Sequence, residues 1–256
     1  VARFDLTDFE WSVIEPLLPT KVRGVARVDD RRVLNGIFWR LRTGGTLGRY
    51  SGAPWPAYDL REPLQPLAQG RSLGADIASC VSSLPRRDPD DRLLVHPRPP
   101  ARFQRPEKDG RSRCMGRSGG GLTTKIHALV DALGLPIGLK LTEGQAHDGR
   151  SADDMLDGLG EGCVLLADRA YDSDAMRNAL AVRGAWACVK PMPNRKRIPA
   201  FSPFLYRYRN LVERFFSKLK YFRAVATRYD KRDDNFLASV QLASIRIWLR
   251  HNESVT

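Results

Sequence analysis

Apolar positions recur with two periods along this chain, and a long middle stretch follows neither. Val33, Leu34, Ile37, Phe38 and Leu41 keep helical spacing, which predicts a helix begun by Asp29 or Asp30 and ended by Gly44. A shorter helix is expected over residues 8–18, capped by Asp8 and stopped by Pro19. Further on, residues 122–131 and 136–142 read as strands joined by a turn at Ala132, Leu133 and Gly134. Residues 163–168 form an apolar run that ends in a carboxylate, and residues 186–189 read as another strand. Helices are expected over residues 151–159, 173–183, 204–222 and 235–249. Strands alternating with helices argue for an α/β fold.

Neither period survives over residues 46–107. These 62 residues hold ten of the chain's seventeen prolines and not one of its nine lysines. A compact domain should not need so long a structureless stretch. The chain therefore divides into a helical part over residues 1–45, an irregular segment over 46–107 and an α/β domain over 108–256.

Composition narrows the function. Of 256 residues 42% are hydrophobic, enough to build a core, and no run of 18 apolar residues offers a membrane span. The first residues lack a signal-peptide pattern, so a cytoplasmic protein is expected. Cys80, Cys114, Cys163 and Cys188 show neither a CxxC pair nor zinc-type spacing and read as reduced thiols. The net charge is +13, and residues 194–232 carry +10 of it, with twelve Lys or Arg against only Glu213 and Asp230. Nine aromatic residues are interleaved there, which suits phosphate contact with base or sugar stacking. A solvated basic helix face is the plainer alternative. The two N-terminal helices, joined through Lys21, Arg23 and Arg27, read either as a small DNA-binding unit or as a packed appendage.

Two places could carry chemistry. Asp168 ends a buried-strand run, where open α/β sheets put their active sites, although an Asp there could equally cap a helix. Tyr206, Arg209, Glu213 and Lys220 fall within a stripe about 60° wide on an ideal helix. A carboxylate framed by cations and a tyrosine could hold a hard metal ion and contact phosphate. It could also be a salt-bridge stripe, since Arg209 and Glu213 are an i, i+4 pair. Residues 116–121, Gly-Arg-Ser-Gly-Gly-Gly, lack the Gly-Lys-Ser/Thr of a P-loop and read as a flexible basic entry to a strand. His127 reads as structural, His147 as a weak functional candidate, and His96 and His251 carry no signal.

The spacing Tyr206-x2-Arg209-x3-Glu213-x6-Lys220 resembles the Tyr-Arg-Glu-Lys signature of bacterial insertion-sequence transposases with a DDE triad. The likeness extends to Gly116-Arg-Ser with Leu122-Thr-Thr-Lys-Ile-His-Ala128, to Leu166-Ala-Asp-Arg-Ala-Tyr-Asp172 and to Arg246-Ile-Trp-Leu-Arg250. Residues 4–11 and 31–39 also look like this family. The resemblance implies an RNase H-like catalytic domain with a small helical N-terminal DNA-binding domain. It implies three carboxylates holding two Mg²⁺ ions for strand cleavage and strand transfer at transposon ends. Asp168 would be the second triad member and Glu213 the third, both as catalytic residues and metal ligands. Tyr206, Arg209, Arg214, Lys218 and Lys220 would contact DNA. The implied partners are double-stranded DNA and a second copy of the chain on it, in a bacterial cytoplasm.

The first Asp is missing from this pattern. The family places it on the central strand, near residue 93, where this chain reads Asp90-Asp-Arg-Leu-Leu-Val-His-Pro97. Asp91 is the nearest candidate, with Asp88 and Asp90 beside it. Permitted codons for residues 91–100, read one nucleotide later, encode Ile-Asp-Ser-Ser-Ser-Thr-Arg-Val-His, which is family-like text. Residues 58–74 behave likewise. The expectation is a frame shift entering near Gly45 and reversed near Glu107. The sheet would then lack its central strand, and the site one ligand. This copy would be inactive. The alternative is a non-catalytic DNA-binding protein that occupies transposon ends.

Overall fold

Short capping signals fix where most elements begin and end. The computed structural model describes residues 4–18, 29–45, 94–98, 114, 116–118, 121–146 and 153–254, with 94–98, 117, 118, 121, 122, 153 and 154 described in backbone only. In chain order the elements are α1 (Asp8–Ile14), α2 (Asp30–Thr43), β1 (Leu94–Arg98), β2 (Gly116–Ser118), β3 (Gly121–Val130), β4 (Pro136–Glu143), β5 (Val164–Ala167), α3 (Asp174–Val182), β6 (Trp186–Val189), α4 (Pro203–Tyr206), α5 (Asn210–Lys220), α6 (Arg223–Ala226) and α7 (Asp233–Glu253). They fall into two units, residues 1–87 with 218–256, and residues 88–217. Residues 218–256, which the sequence reading assigns to the α/β domain, thus group with the N-terminal helices.

In the first unit Thr7, rather than Asp8, caps α1. Its hydroxyl accepts from the Glu10 amide at 3.1 Å, and the Glu10 carboxylate accepts from the Thr7 amide at 2.8 Å, a reciprocal capping box. Pro16 then turns the chain into a single 3-10 turn, Glu15–Leu17, so the α-helix is shorter than its apolar pattern. Asp29 caps α2 by accepting from the Arg31 and Arg32 amides, and Gly44 ends it in a left-handed conformation at φ 69°. Leu34, Ile37, Phe38 and Leu41 are buried, and α2 packs against α6 and α7. Each such side chain removed from water contributes about 1.5–3 kcal/mol. Glu10 and Arg246, both buried, pair at 2.5 Å and so tie α1 to α7. Arg246 also donates to the Asp5 carbonyl at 2.6 Å and lies over the Phe38 ring.

The second unit is built on one sheet in the order β4-β3-β1-β5-β6, with β2 pairing the start of β3. β1 runs antiparallel to β3 and parallel to β5, and β5 is parallel to β6. The central strand is therefore present, which corrects the expectation that the sheet lacks it. Its residues, Leu-Val-His-Pro-Arg, show no strand period, and Pro97 supplies a carbonyl without a donor. Pairing on both sides holds it there. Gly116–Ser118, expected as a flexible entry, is likewise a strand. The helix expected over 151–159 is only a 3-10 turn, Asp153–Leu156.

Leu165 and Val189 from the strands meet Tyr171, Met176 and Leu180 in the core on one sheet face. The β3–β4 turn is held by Asp131, whose carboxylate accepts from the Leu133 and Leu135 amides at 2.9 and 2.8 Å. Gly134, at φ 75°, completes it. A Cβ there would stand 3.3 Å from the Leu211 carbonyl, so the missing side chain lets α5 lie close to this turn. The long helix expected over residues 204–222 is interrupted, because Arg207–Arg209 form a 3-10 turn between α4 and α5. Among the described residues no helix is long and apolar enough to cross a membrane, and no disulfide forms.

Candidate active site

Asp168 follows the last residue of β5, where the strand leaves the sheet. It does not cap the 3-10 turn Arg169–Tyr171 that comes next. Instead its Oδ1 lies 3.1 Å from Arg209 Nη1 and accepts from the Tyr206 hydroxyl at 3.4 Å. Arg209 Nη2 reaches Glu213 Oε1 at 2.9 Å. The tight turn at Arg207–Arg209 brings Tyr206 and Arg209 to one side, and the guanidinium lies over the Tyr206 ring at 5.6 Å. Four residues picked from the sequence thus meet, with Arg209 bridging the two carboxylates. The cluster is half-open to solvent, with Asp168 31% and Glu213 54% exposed.

Electrostatics set the roles within it. Burial and the Asp168 charge both push the Tyr206 hydroxyl above its ordinary value, so it stays protonated and donates. Arg209 reaches both carboxylates, and the positive charge of Arg169 also acts on this cluster. Arg214, Lys218 and Lys220 are exposed positions of α5, the last two beyond the point where the chain passes to the other unit. Asp88, Asp90, Asp91, His147 and Cys80 lie outside the described residues.

Two supporting groups escaped the sequence reading. Tyr171 is buried, and its hydroxyl lies 3.2 Å from His127 Nδ1, while His127 Nε2 lies 2.7 Å from Thr142 Oγ1. This polar chain pins the turn after Asp168 to β3 and β4. Below it, Asp172 is fully enclosed and accepts from Arg177 Nε at 2.9 Å, Arg195 Nε at 2.6 Å and the Met192 amide at 2.7 Å. Burial raises the Asp172 pKa, but the bonds from Arg195, Met192 and Arg177 outweigh it and hold the carboxyl below its usual range. Arg177 also donates to the Ala187 and Val189 carbonyls, locking β6 to the same point. In the sequence, Tyr171 and Asp172 stand out only as part of the family-like run from Leu166 to Asp172, and His127 only as a structural residue.

A carboxylate at a strand end thus meets a tyrosine, an arginine and a second carboxylate carried on α4, the 3-10 turn and α5. The family model described as "Transposase DDE domain" matches residues 87–248, and one for transposases of the IS4/5 family matches residues 6–48. The chain belongs to the DDE transposases of insertion sequences. It is 42% identical over 130 residues to "Putative transposase for insertion sequence element IS6501" of Brucella ovis, spanning 50% of this chain and 100% of that one. It is 30% identical over 191 residues to the corresponding protein of element IS402 from Burkholderia cepacia, 69% of this chain and 86% of that one. A cryo-EM structure of the piggyBac transposase synaptic complex with hairpin DNA overlays more loosely, at TM-score 0.47 and 10% identity, over 96% of this chain and 72% of that one.

DDE domains generally use divalent metal ions. The donor set described here does not fit a pair of them. Among the described residues no three His, Cys, Asp or Glu side chains converge, and the two carboxylates that do approach share one arginine.

Proposed function

We propose that this chain is a transposase by descent that binds transposon-end DNA and does not cleave it. The sheet order and strand directions support an RNase H-like domain. In that fold the first carboxylate belongs on the central strand beside Asp168. The register pairs Val95 with Ala167, one step before Asp168, and β1 carries no carboxylate from Leu94 to Arg98. That single observation carries the reading. In an intact site two Mg²⁺ ions would sit between three carboxylates; here Asp168 and Glu213 are what remains of that set.

Binding falls to the cations. Arg214, Lys218 and Lys220 would contact phosphate, with Tyr206 and Arg209 beside the strand end, on double-stranded DNA. The helices within residues 1–45 would add a second contact, a homodimer would pair two ends, and the protein would act in the bacterial cytoplasm. A frame shift across residues 46–107 accounts for the lost carboxylate, and the nucleotide sequence from Gly44 to Lys108 tests it directly. The protein-level test incubates the full chain with plasmid and end-bearing duplex in Mg²⁺ or Mn²⁺. Salt-sensitive binding with intact DNA is expected. Metal-dependent cleavage that disappears in Asp168→Ala overturns the inactive reading.

A further inference from the structure

Two large aromatic side chains stand in solvent on the turn that presents Tyr206 and Arg209. Phe204 and Tyr208 are 59% and 51% exposed, and their rings meet edge to face with centroids 6.2 Å apart. The Arg207 guanidinium lies over the Phe204 ring at 4.8 Å. Pro203 sets the first helical residue, and the Ser202 hydroxyl accepts from the Leu205 amide at 3.3 Å, so the rings are carried on a capped backbone. Core packing does not account for them. The apolar face of this helical stretch is made by Val212, Phe215 and Phe216, all buried.

Aromatic faces next to an arginine form a surface on which nucleobases stack while the cation meets the adjoining phosphate. Duplex DNA hides its base faces, so only unpaired bases could use such rings. A second copy of this chain suits the surface poorly. Lys196, Arg197, Arg207 and Arg214 are exposed in this part of the chain, and a second copy would bring like charge against like. A polyanionic strand matches it.

We propose that Phe204, Arg207 and Tyr208 form a stacking platform for unpaired bases of a DNA strand. This rests on the reading that the chain binds DNA, and adds that it engages frayed or single-stranded ends. The probe is a duplex of about 30 base pairs, either blunt or with an unpaired tail of about four nucleotides carrying 2-aminopurine. For the full chain, the tail should tighten binding about tenfold and quench the 2-aminopurine. Phe204→Ala with Tyr208→Ala should abolish both gains and leave blunt-duplex affinity unchanged, while Tyr208→Phe should keep them. Circular dichroism of the double variant should match the parent, since both rings are exposed.

Failure of the parent chain to bind either DNA removes the DNA-binding reading itself. Binding to blunt duplex with no gain from the tail overturns the platform alone. Equal weakening on both DNAs also overturns it and makes the rings a duplex contact. A dimer that dissociates in the double variant overturns it in favour of an interface between copies.

Discussion

At the scale of single residues, Glu213 offers a direct test of the proposed DNA contact. The half-exposed Glu213 carboxylate would repel phosphate when no metal cation stands between them. Glu213→Gln is therefore expected to tighten DNA binding about threefold in metal-free buffer, measured by fluorescence anisotropy. Arg214→Ala should instead weaken binding on every sequence and lower the salt slope by about one. Asp172 is a stability residue. Asp172→Asn leaves Arg177 and Arg195 facing a neutral amide in an enclosed site and should cost about 3 kcal/mol at neutral pH. Its folded pKa lies below the ordinary 3.8, so its contribution is complete above that value and fades as pH falls through the lower one. Urea midpoints taken down the acid range should show this component in the parent and not in Asp172→Asn.

At the scale of elements, the β3–β4 turn and α5 depend on a side chain that is not there. Gly134→Ala places a Cβ at φ 75° and 3.3 Å from the Leu211 carbonyl, and should cost about 1–2 kcal/mol. Thermal unfolding checks this. Elements of this kind were legible in the sequence because their own residues hold the pattern. Trp186–Val189 and the turn at Gly134 stand where the periodicity puts them, and Asp29 and Gly44 bound α2 as read. β1 was not legible, since its pairing comes from β3 and β5 while Pro97 argues against a central strand. The site divides in the same way. Asp168, Tyr206, Arg209 and Glu213 could be picked from an apolar run and a helical spacing. The Asp172 clamp could not, because Arg195 lies 23 residues away and only the fold returns it. The 3-10 turn at Arg207–Arg209 was equally hidden, since nothing in Arg-Tyr-Arg departs from helical composition.

At the scale of the whole molecule, the first unit is made from both ends of the chain, with Glu10 on α1 paired to Arg246 on α7. Removing residues 1–45 strips α7 of α1 and α2, two of the elements packed against it. Such a shortened chain is expected to be poorly soluble even though its sheet is untouched, as sedimentation after expression will tell. Glu10→Gln should destabilise the full chain by about 3 kcal/mol, because the buried Arg246 loses its counter-charge. The same arrangement bears on how the protein is made. A ribosome finishes the sheet unit while α1 and α2 still wait for a helix that has not been translated. The N-terminal helices complete their packing only when α7 has been made as far as Arg246. A message that stops early therefore spoils the beginning of the protein as well as its end.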